Sequence, residues 1–293
     1  MKKWLVRLWV LLVAITMNPL AIAQNALSDK IFFLGTRFDG YYGIWMMDSN
    51  GDNVKEVFVN LNPESESFFI LGLAVSPDGR RLTIENTSTR GGSSLWLLGA
   101  EPEDLLEEAN IFEKDPVDCF TFPKASRVAC LKSLLSTDVG LFAATFSPDG
   151  TKVWYVRLST TTPADIYSVS TDGQNRVNVT KNSSIKPLGE GSLSVSPDGR
   201  KLLFPCSSAS GDTTEICVMD TTGSNITRLT NNTVDDFSPR YSPDGKKILF
   251  DSNRTGNFEI YVMNVEGSNI KQLTNMPQRT DTSPCFSKDS KRI

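Results

Sequence analysis

The chain has 293 residues, with 30 lysines and arginines against 34 aspartates and glutamates, a net charge of −4 and no histidine. Without histidine, a Ser-His-Asp triad, a Cys-His pair and every histidine-based metal site are excluded within this chain. The acidic balance, with no basic run, argues against nucleic acid or an anionic membrane as the main partner.

The first element is a leader. Met1-Lys2-Lys3 is basic, Trp4 to Leu20 is mostly apolar with Arg7 and Asn18 interrupting, and Ala21-Ile22-Ala23 is a small-residue cleavage signal before Gln24. This pattern reads as a bacterial secretory signal peptide over residues 1–23. The uninterrupted apolar stretch from Leu8 to Met17 is short for a membrane span, so no stable span is expected after leader cleavage. No cysteine stands directly after the cleavage signal, where Gln24 lies, which argues against a lipoprotein. Export points to the periplasm, or alternatively to secretion. Loss of Lys2, Lys3 and Arg7 leaves 27 cations against 34 anions, a net charge of −7.

Residues 24–293 read as one domain of short strands. Ile31-Phe32-Phe33-Leu34 opens it, followed by Ile44-Trp45-Met46-Met47 and the turn Asn50-Gly51-Asp52-Asn53. Then Ser-Pro-Asp-Gly appears, beginning at Ser76 and again at Ser147, Ser196 and Ser242, at intervals of 71, 49 and 46 residues. A worn copy, Ser287-Lys288-Asp289-Ser290, follows 45 residues later. In this tetrapeptide proline presets φ, aspartate bonds its own backbone and glycine accepts positive φ.

The unit is clearest from Asp236 to Asn275. Phe237-Ser238-Pro239-Arg240-Tyr241 precedes the Ser242–Gly245 turn, and Lys247-Ile248-Leu249-Phe250 follows it. A polar loop leads to Glu259-Ile260-Tyr261-Val262-Met263, then a turn at Glu266-Gly267-Ser268-Asn269, then Ile270-Lys271-Gln272-Leu273-Thr274. The third strand recurs as Leu95–Leu98, Ile166–Val169 and Ile216–Met219. Four strands per unit at this period predict an all-β propeller of four-stranded antiparallel blades.

The count gives five blades. The first unit lacks its innermost strand, and Ser283-Pro284-Cys285-Phe286-Ser287 is an innermost strand without a unit, so the two together close the ring. A truncated six-bladed ring is the alternative, because Lys291-Arg292-Ile293 resembles the start of another second strand. The long interval from Ser76 to Ser147 places an insertion at about 101–140. It holds an acidic stretch, Glu101 to Glu108, readable as a short helix, and a hairpin bounded by Cys119 and Cys130.

Taken together, Ser242-Pro243-Asp244-Gly245-Lys246-Lys247-Ile248-Leu249-Phe250, Ser252-Asn253-Arg254, Glu259 to Asn264, Gly267-Ser268-Asn269 and Gln272-Leu273-Thr274-Asn275 resemble the TolB-type, WD-repeat-like propeller family. The resemblance covers most of the chain from Lys30 onward. It implies a cell-envelope protein or peptide as partner, such as a peptidoglycan-associated lipoprotein or another Tol-system protein. TolB itself carries an α/β domain ahead of its propeller, whereas only Gln24 to Asp29 separates leader from first strand here.

Arg37, Arg90 and Arg254 recur at the end of strand two. They read either as a rim gripping a partner's carboxylates or as an inter-blade ion pair repeated by the fold. The link Asn231 to Asp236, with Asp235 and Asp236, lies on the same rim, and such links vary between units. Cys119 with Cys130 and Cys206 with Cys217 are disulfide candidates in an oxidising compartment; Cys285 is left over. The recurring Asp78, Asp149, Asp198 and Asp244 read as turn residues. No metal site and no cofactor is expected.

The chain is thus read as a non-catalytic interaction platform of the cell envelope. Two alternatives stay open: the front part of a larger propeller-containing hydrolase of peptidase type, and a carbohydrate or peptidoglycan-binding module using aromatics such as Phe38, Tyr41 and Phe258.

Overall fold

A computed structural model describes residues 30–36, 42–48, 51–52, 54–59, 68–78, 81–88, 93–99, 139–159, 162–188, 192–207, 211–276 and 278–293. The expected leader lies outside the described residues, as does the expected insertion at 101–140 but for Val139 and Gly140.

The described strands form five antiparallel sheets. The first holds β1 (Lys30–Thr36), β2 (Tyr42–Asp48) and β3 (Lys55–Val59); the second holds β4 (Phe68–Val75), β5 (Arg81–Ser88) and β6 (Ser93–Gly99). The third holds β7 (Val139–Phe146), β8 (Lys152–Ser159), β9 (Asp165–Ser170) and β10 (Val177–Asn178). The fourth holds β11 (Ser194–Val195), β12 (Lys201–Ser207), β13 (Thr214–Asp220) and β14 (Thr227–Arg228). The fifth holds β15 (Asp236–Tyr241), β16 (Lys247–Ser252), β17 (Glu259–Asn264) and β18 (Lys271–Gln272). Within each sheet the strands pair in chain order, so each is a meander and the whole is an all-β propeller. Three sheets are four-stranded as expected; the first two show three strands each among the described residues.

Residues 283–287, expected to complete the first sheet, join no ladder among the described residues. They run instead beside the fifth blade. Phe286 is buried in a cluster with Leu249 and Ile260, and the Ser283 amide donates to the Asp251 carboxylate at 3.4 Å.

The seams between blades form the core. Trp154, Val156 and Ile166 of the third blade pack on Leu202, Phe204 and Met219 of the fourth. Leu203 and Ile216 of the fourth pack on Ile248, Phe250, Tyr261 and Met263 of the fifth. Successive residues of β12 therefore face opposite seams, which is why Leu202, Leu203 and Phe204 are all fully buried and the strand reads as a continuous apolar run. Cys206 and Cys217 are joined by a disulfide across β12 and β13, their Cα atoms 5.9 Å apart.

In a meander the first and third turns of a blade lie at one end, here called the lower face. The loop between strands two and three and the links between blades lie at the other, the upper face. On the lower face every Ser-Pro-Asp-Gly serine works in both directions. Its hydroxyl donates to the aspartate two residues on at 2.5–2.6 Å in all five copies. The same oxygen accepts the amide five residues on at 2.9 Å. The worn copy keeps the geometry, with Ser290 at φ 58° where the others carry glycine.

The third turn of one blade presses on the outer strand of the blade before it. A Cβ on Gly223 would stand 1.9 Å from the Val179 carbonyl oxygen, and one on Gly267 would stand 2.7 Å from that of Leu229. Gly51, with φ +89° against +91° at Gly223, has nothing among the described residues within 4 Å of the same position. Alanine at Gly223 is therefore expected to lower stability by about 2–4 kcal/mol, from left-handed strain plus a backbone clash. Alanine at Gly51 carries only the strain, about 1 kcal/mol. Urea midpoints at constant m measure both, and equal losses would contradict this account of the seam.

Candidate functional site

The upper face is built from a repeated carboxylate. Asp165, Glu215 and Glu259 each stand at the head of the third strand of their blade, as its first or second residue, just before Ile166, Ile216 and Ile260. The amides of those isoleucines donate to the hydroxyls of Thr180, Thr230 and Thr274, each at 2.9 Å. Thr180 in turn donates to Asp165 at 2.9 Å and Thr274 to Glu259 at 2.6 Å. In the fourth blade Glu215 accepts from the amide and side chain of Asn232 at 2.7 and 3.2 Å. These carboxylates tie the end of each blade, and the link that follows, to the head of the third strand. The hydrogen bond from Thr274 holds the Glu259 carboxyl below the usual carboxylate range.

Three of the sequence-predicted rim residues are described, and they come together. Arg254 donates through one guanidinium nitrogen to both Asp236 oxygens at 3.0 and 3.2 Å, and through Nε to Ser252 at 2.9 Å. Its guanidinium lies 4.6 Å from the Tyr261 ring centroid and 5.4 Å from that of Phe250. Asp236 is fully buried and accepts a further bond from Asn232 at 2.8 Å. Asp235 accepts the Thr214 amide of the fourth blade at 3.0 Å and pairs with Asn253. The Arg254 ion pair thus joins β15 to the end of β16 inside one blade; Asp235 is the residue that crosses the seam. Arg37, Arg90, Phe38, Tyr41, Cys119 and Cys130 lie outside the described residues. Phe258 packs against Phe237, ring centroids 5.9 Å apart.

These bonds leave the tips of the loops outermost. Asp212, Asn231, Thr233, Thr255 and Gly256 are exposed on backbone that the buried network holds in place.

A second constellation carries no periodic mark in the sequence. Nine residues after the serine that starts their turns, Glu85 in β5 and Asp251 in β16 take the same position in their strands, where the third and fourth blades carry Val156 and Pro205. Both are buried. Glu85 accepts the amides of Ala143 and Ala144, at 3.0 and 2.5 Å, on a bulge in β7. Asp251 accepts from the Ser238 hydroxyl at 3.3 Å and from the Ser283 amide. Ala143, Ser238 and Ser283 share φ values of 59°, 52° and 58°; from this backbone Ala143 and Ser283 turn an amide, and Ser238 its hydroxyl, toward the carboxylate of a neighbouring strand. Arg240 donates to the Leu193 carbonyl at 3.3 Å and its charge favours ionisation of both acids. The signal available was a carboxylate inside an apolar run, Leu82-Thr83-Ile84-Glu85 and Leu249-Phe250-Asp251.

Burial pushes the Glu85 carboxyl up to about 7, against the pull of the two amides and Arg240. Burial likewise pushes Asp251 up to about 6, opposed by Ser238, Ser283 and Arg240. On the lower face the serine hydroxyls hold Asp149, Asp198, Asp244 and Asp289 below the usual range.

The residues 131–293 match the family described as the TolB beta propeller domain, and the chain belongs to that family. Among solved structures it is similar to TolB from Acinetobacter baumannii, at 20% identity and a TM-score of 0.65, covering 89% of this chain and 56% of that one. The chain thus spans little more than half the length of that protein. It is also similar to an oligogalacturonate lyase from Vibrio parahaemolyticus, at 14% identity and a TM-score of 0.55, covering 85% of this chain and 62% of that one. A puromycin-hydrolyzing peptidase from Mycobacterium tuberculosis gives 16% identity and a TM-score of 0.55, covering 92% of this chain and 38% of that one. At these identities the shared property is the fold.

Two predictions test the electrostatics. Between pH 4 and 7 the folded chain keeps protons on Glu85 and Asp251 that the unfolded chain has released. Their contribution is therefore fully present at low pH and lost as pH rises through the folded values, roughly 3 kcal/mol for each carboxyl. The lowered turn aspartates act in the opposite sense and at lower pH, losing stability as pH falls below about 4. Urea midpoints measured from pH 4.5 to 7.5 should decline, and Glu85→Gln should flatten that decline; an unchanged slope in the variant would contradict the assignment. Separately, Arg254→Met leaves the buried Asp236 carboxylate without its cation and is expected to cost about 2–3 kcal/mol, discounted for the partial exposure of the arginine. Thermal unfolding measures this, and an unperturbed midpoint would return Arg254 to the role of a surface-binding residue.

Proposed function

We propose that this chain is a non-catalytic propeller of the cell envelope, delivered to the periplasm by its leader, that binds a protein or peptide on its upper face. The observation that carries the reading is how the upper-face charges are used. Arg254, Asp236, Glu215 and Glu259 are all bonded within the fold, so they serve to fix the loops rather than to receive a ligand. A face whose scaffold is fixed while its loop tips stay polar and exposed is preorganised for recognition, since little side-chain or loop entropy is lost on contact. Membership of the TolB beta propeller domain family supports the same reading. The acidic balance of the chain favours a partner with a basic patch.

The test is photo-crosslinking in envelope extract of residues 24–293 carrying a crosslinking side chain at Asp212, Asn231 or Thr233, with Lys271 on the outer edge as control. Crosslinks to one protein from the three upper-face positions, weakened about tenfold or more by Asp212→Arg with Thr233→Arg, are the expected outcome. Equal labelling from Lys271, or indifference to the charge reversal, would sink the proposal.

A further inference from the structure

The link from the third blade to the fourth is longer than the two links that follow it. Ser196 stands 16 residues after Thr180, whereas Ser242 stands 12 after Thr230 and Ser287 stands 13 after Thr274. The added residues are fastened at both ends. At the start the Ser183 amide donates to the Thr180 carbonyl at 3.0 Å, and the Ser183 hydroxyl donates to the Ile185 carbonyl at 2.7 Å and accepts the Ile185 amide at 3.0 Å. Lys186 reaches back to Asp165 at 2.8 Å and to the Thr180 carbonyl at 3.0 Å. At the end Pro187 bridges to Cys206 and the Leu188 amide donates to the Pro205 carbonyl at 2.9 Å. Those partners sit on β12, which the Cys206–Cys217 disulfide fastens to β13.

This link forms one wall of a groove of about 510 Å³ between the third and fourth blades; Thr222, Gly223 and Ile226 of the fourth blade form the other. The volume is that of a small-molecule site, and every lining residue is among those described. The floor is aliphatic. Val179, Ile185 and Ile226 are half-buried there and continue the core of the seam. The rim is polar, with Lys181, Asn182, Ser184 and Thr222 exposed. Thr222 shares a hydrogen bond with Ser224 at 3.0 Å. The side chains of Lys181, Asn182 and Ser184 bond to no other residue among those described. The lining therefore offers an ammonium, a carboxamide and hydroxyls, and includes no carboxylate.

We propose that this groove binds an acidic saccharide. Its ring lies on the aliphatic floor, its hydroxyls meet Asn182, Ser184 and Thr222, and its carboxylate meets Lys181. Carboxamides and hydroxyls both donate and accept, as the adjacent hydroxyls of a sugar require. Val179, Ile185 and Ile226 suit the C–H face of a pyranose. One cation with no acid opposite it selects a ligand that carries negative charge. The wall is preorganised as well. Ser183 and Lys186 hold the main chain of the turn, so the outward side chains are free to meet a ligand without the backbone having to order. The site lies at a different seam from Asp212, Asn231 and Thr233 and stands independently of the partner proposed for those tips.

Titration of ¹⁵N-labelled residues 24–293 with glucuronate, glucose and acetate, followed through backbone amide shifts, provides the test. Glucuronate should shift the amides of Asn182, Ser184 and Gly223 saturably, at a concentration about tenfold lower than glucose or acetate needs. Lys181→Glu should weaken that response about tenfold or more and leave the urea midpoint unchanged, while Thr233→Arg should leave the response intact. A response to glucose or acetate equal to that to glucuronate would overturn the proposal. So would the absence of saturable shifts at these amides, or indifference to Lys181→Glu.

Discussion

The structure depends on one hydroxyl per blade. The serine of each Ser-Pro-Asp-Gly turn gives its proton to the aspartate and takes the amide of the residue that begins the next strand. That fixes where the second strand starts relative to the first, and a β-ladder allows no half-measures: a slip of one residue would move every side chain to the opposite face. With both faces of β12 buried in seams, a slip would exchange the contents of two cores at once. The same turns also meet each other. A Cβ on Gly199 would stand 3.5 Å from Pro148, and one on Gly245 would stand 3.7 Å from Pro197, while the Asp244 amide donates to Ser290 at 3.1 Å. Register within a blade and spacing between blades are thereby set at one place.

This explains what was legible from residues alone. The turn, the third-strand pattern Glu259-Ile260-Tyr261-Val262-Met263 and the closing Leu273-Thr274 are local and periodic, so they announce the blade. The structural duty of Asp149 and Asp244 followed from their place in the turn. Arg254 was visible as a recurring cation, but its partner Asp236 lies 18 residues away, and nothing in the intervening sequence distinguishes an intra-blade pair from one across a seam. Glu85 and Asp251 were harder. Glu85 is met by two main-chain amides and Asp251 by one, beside the Ser238 hydroxyl, and a backbone partner leaves no mark in the sequence. Only their placement inside apolar runs set them apart. The ladder expected between residues 283–287 and the first sheet rested on strand counting, which identifies complementary pieces but does not say whether they meet.

The two faces of the propeller handle charge differently for one physical reason. On the lower face the turn carboxylates are exposed and receive short hydroxyl bonds, so ionisation costs little and is favoured. At Glu85 and Asp251 the carboxylates are buried, and two amide or hydroxyl donors do not replace the lost water. Such groups are retained where the backbone demands them. A bulged strand presents amides that no ladder partner can satisfy, and an unpaired buried amide is itself costly. The acid at that position satisfies them, and Arg240 offsets part of its burial.

The same accounting separates scaffold from recognition on the upper face. A guanidinium stacked on Tyr261 and bound to both oxygens of a buried carboxylate cannot turn to a ligand without leaving that carboxylate unpaired, which would cost more than a surface ion pair returns. On the proposed reading, recognition falls to groups that have no such duty, the exposed tips at Asp212, Asn231 and Thr233. These positions differ in length and sequence from blade to blade, because the tie from Glu215 to Asn232 or from Glu259 to Thr274 fixes the ends of a link and leaves its middle unconstrained. A propeller built this way can change its partner by changing a few exposed residues while its buried charges stay in place.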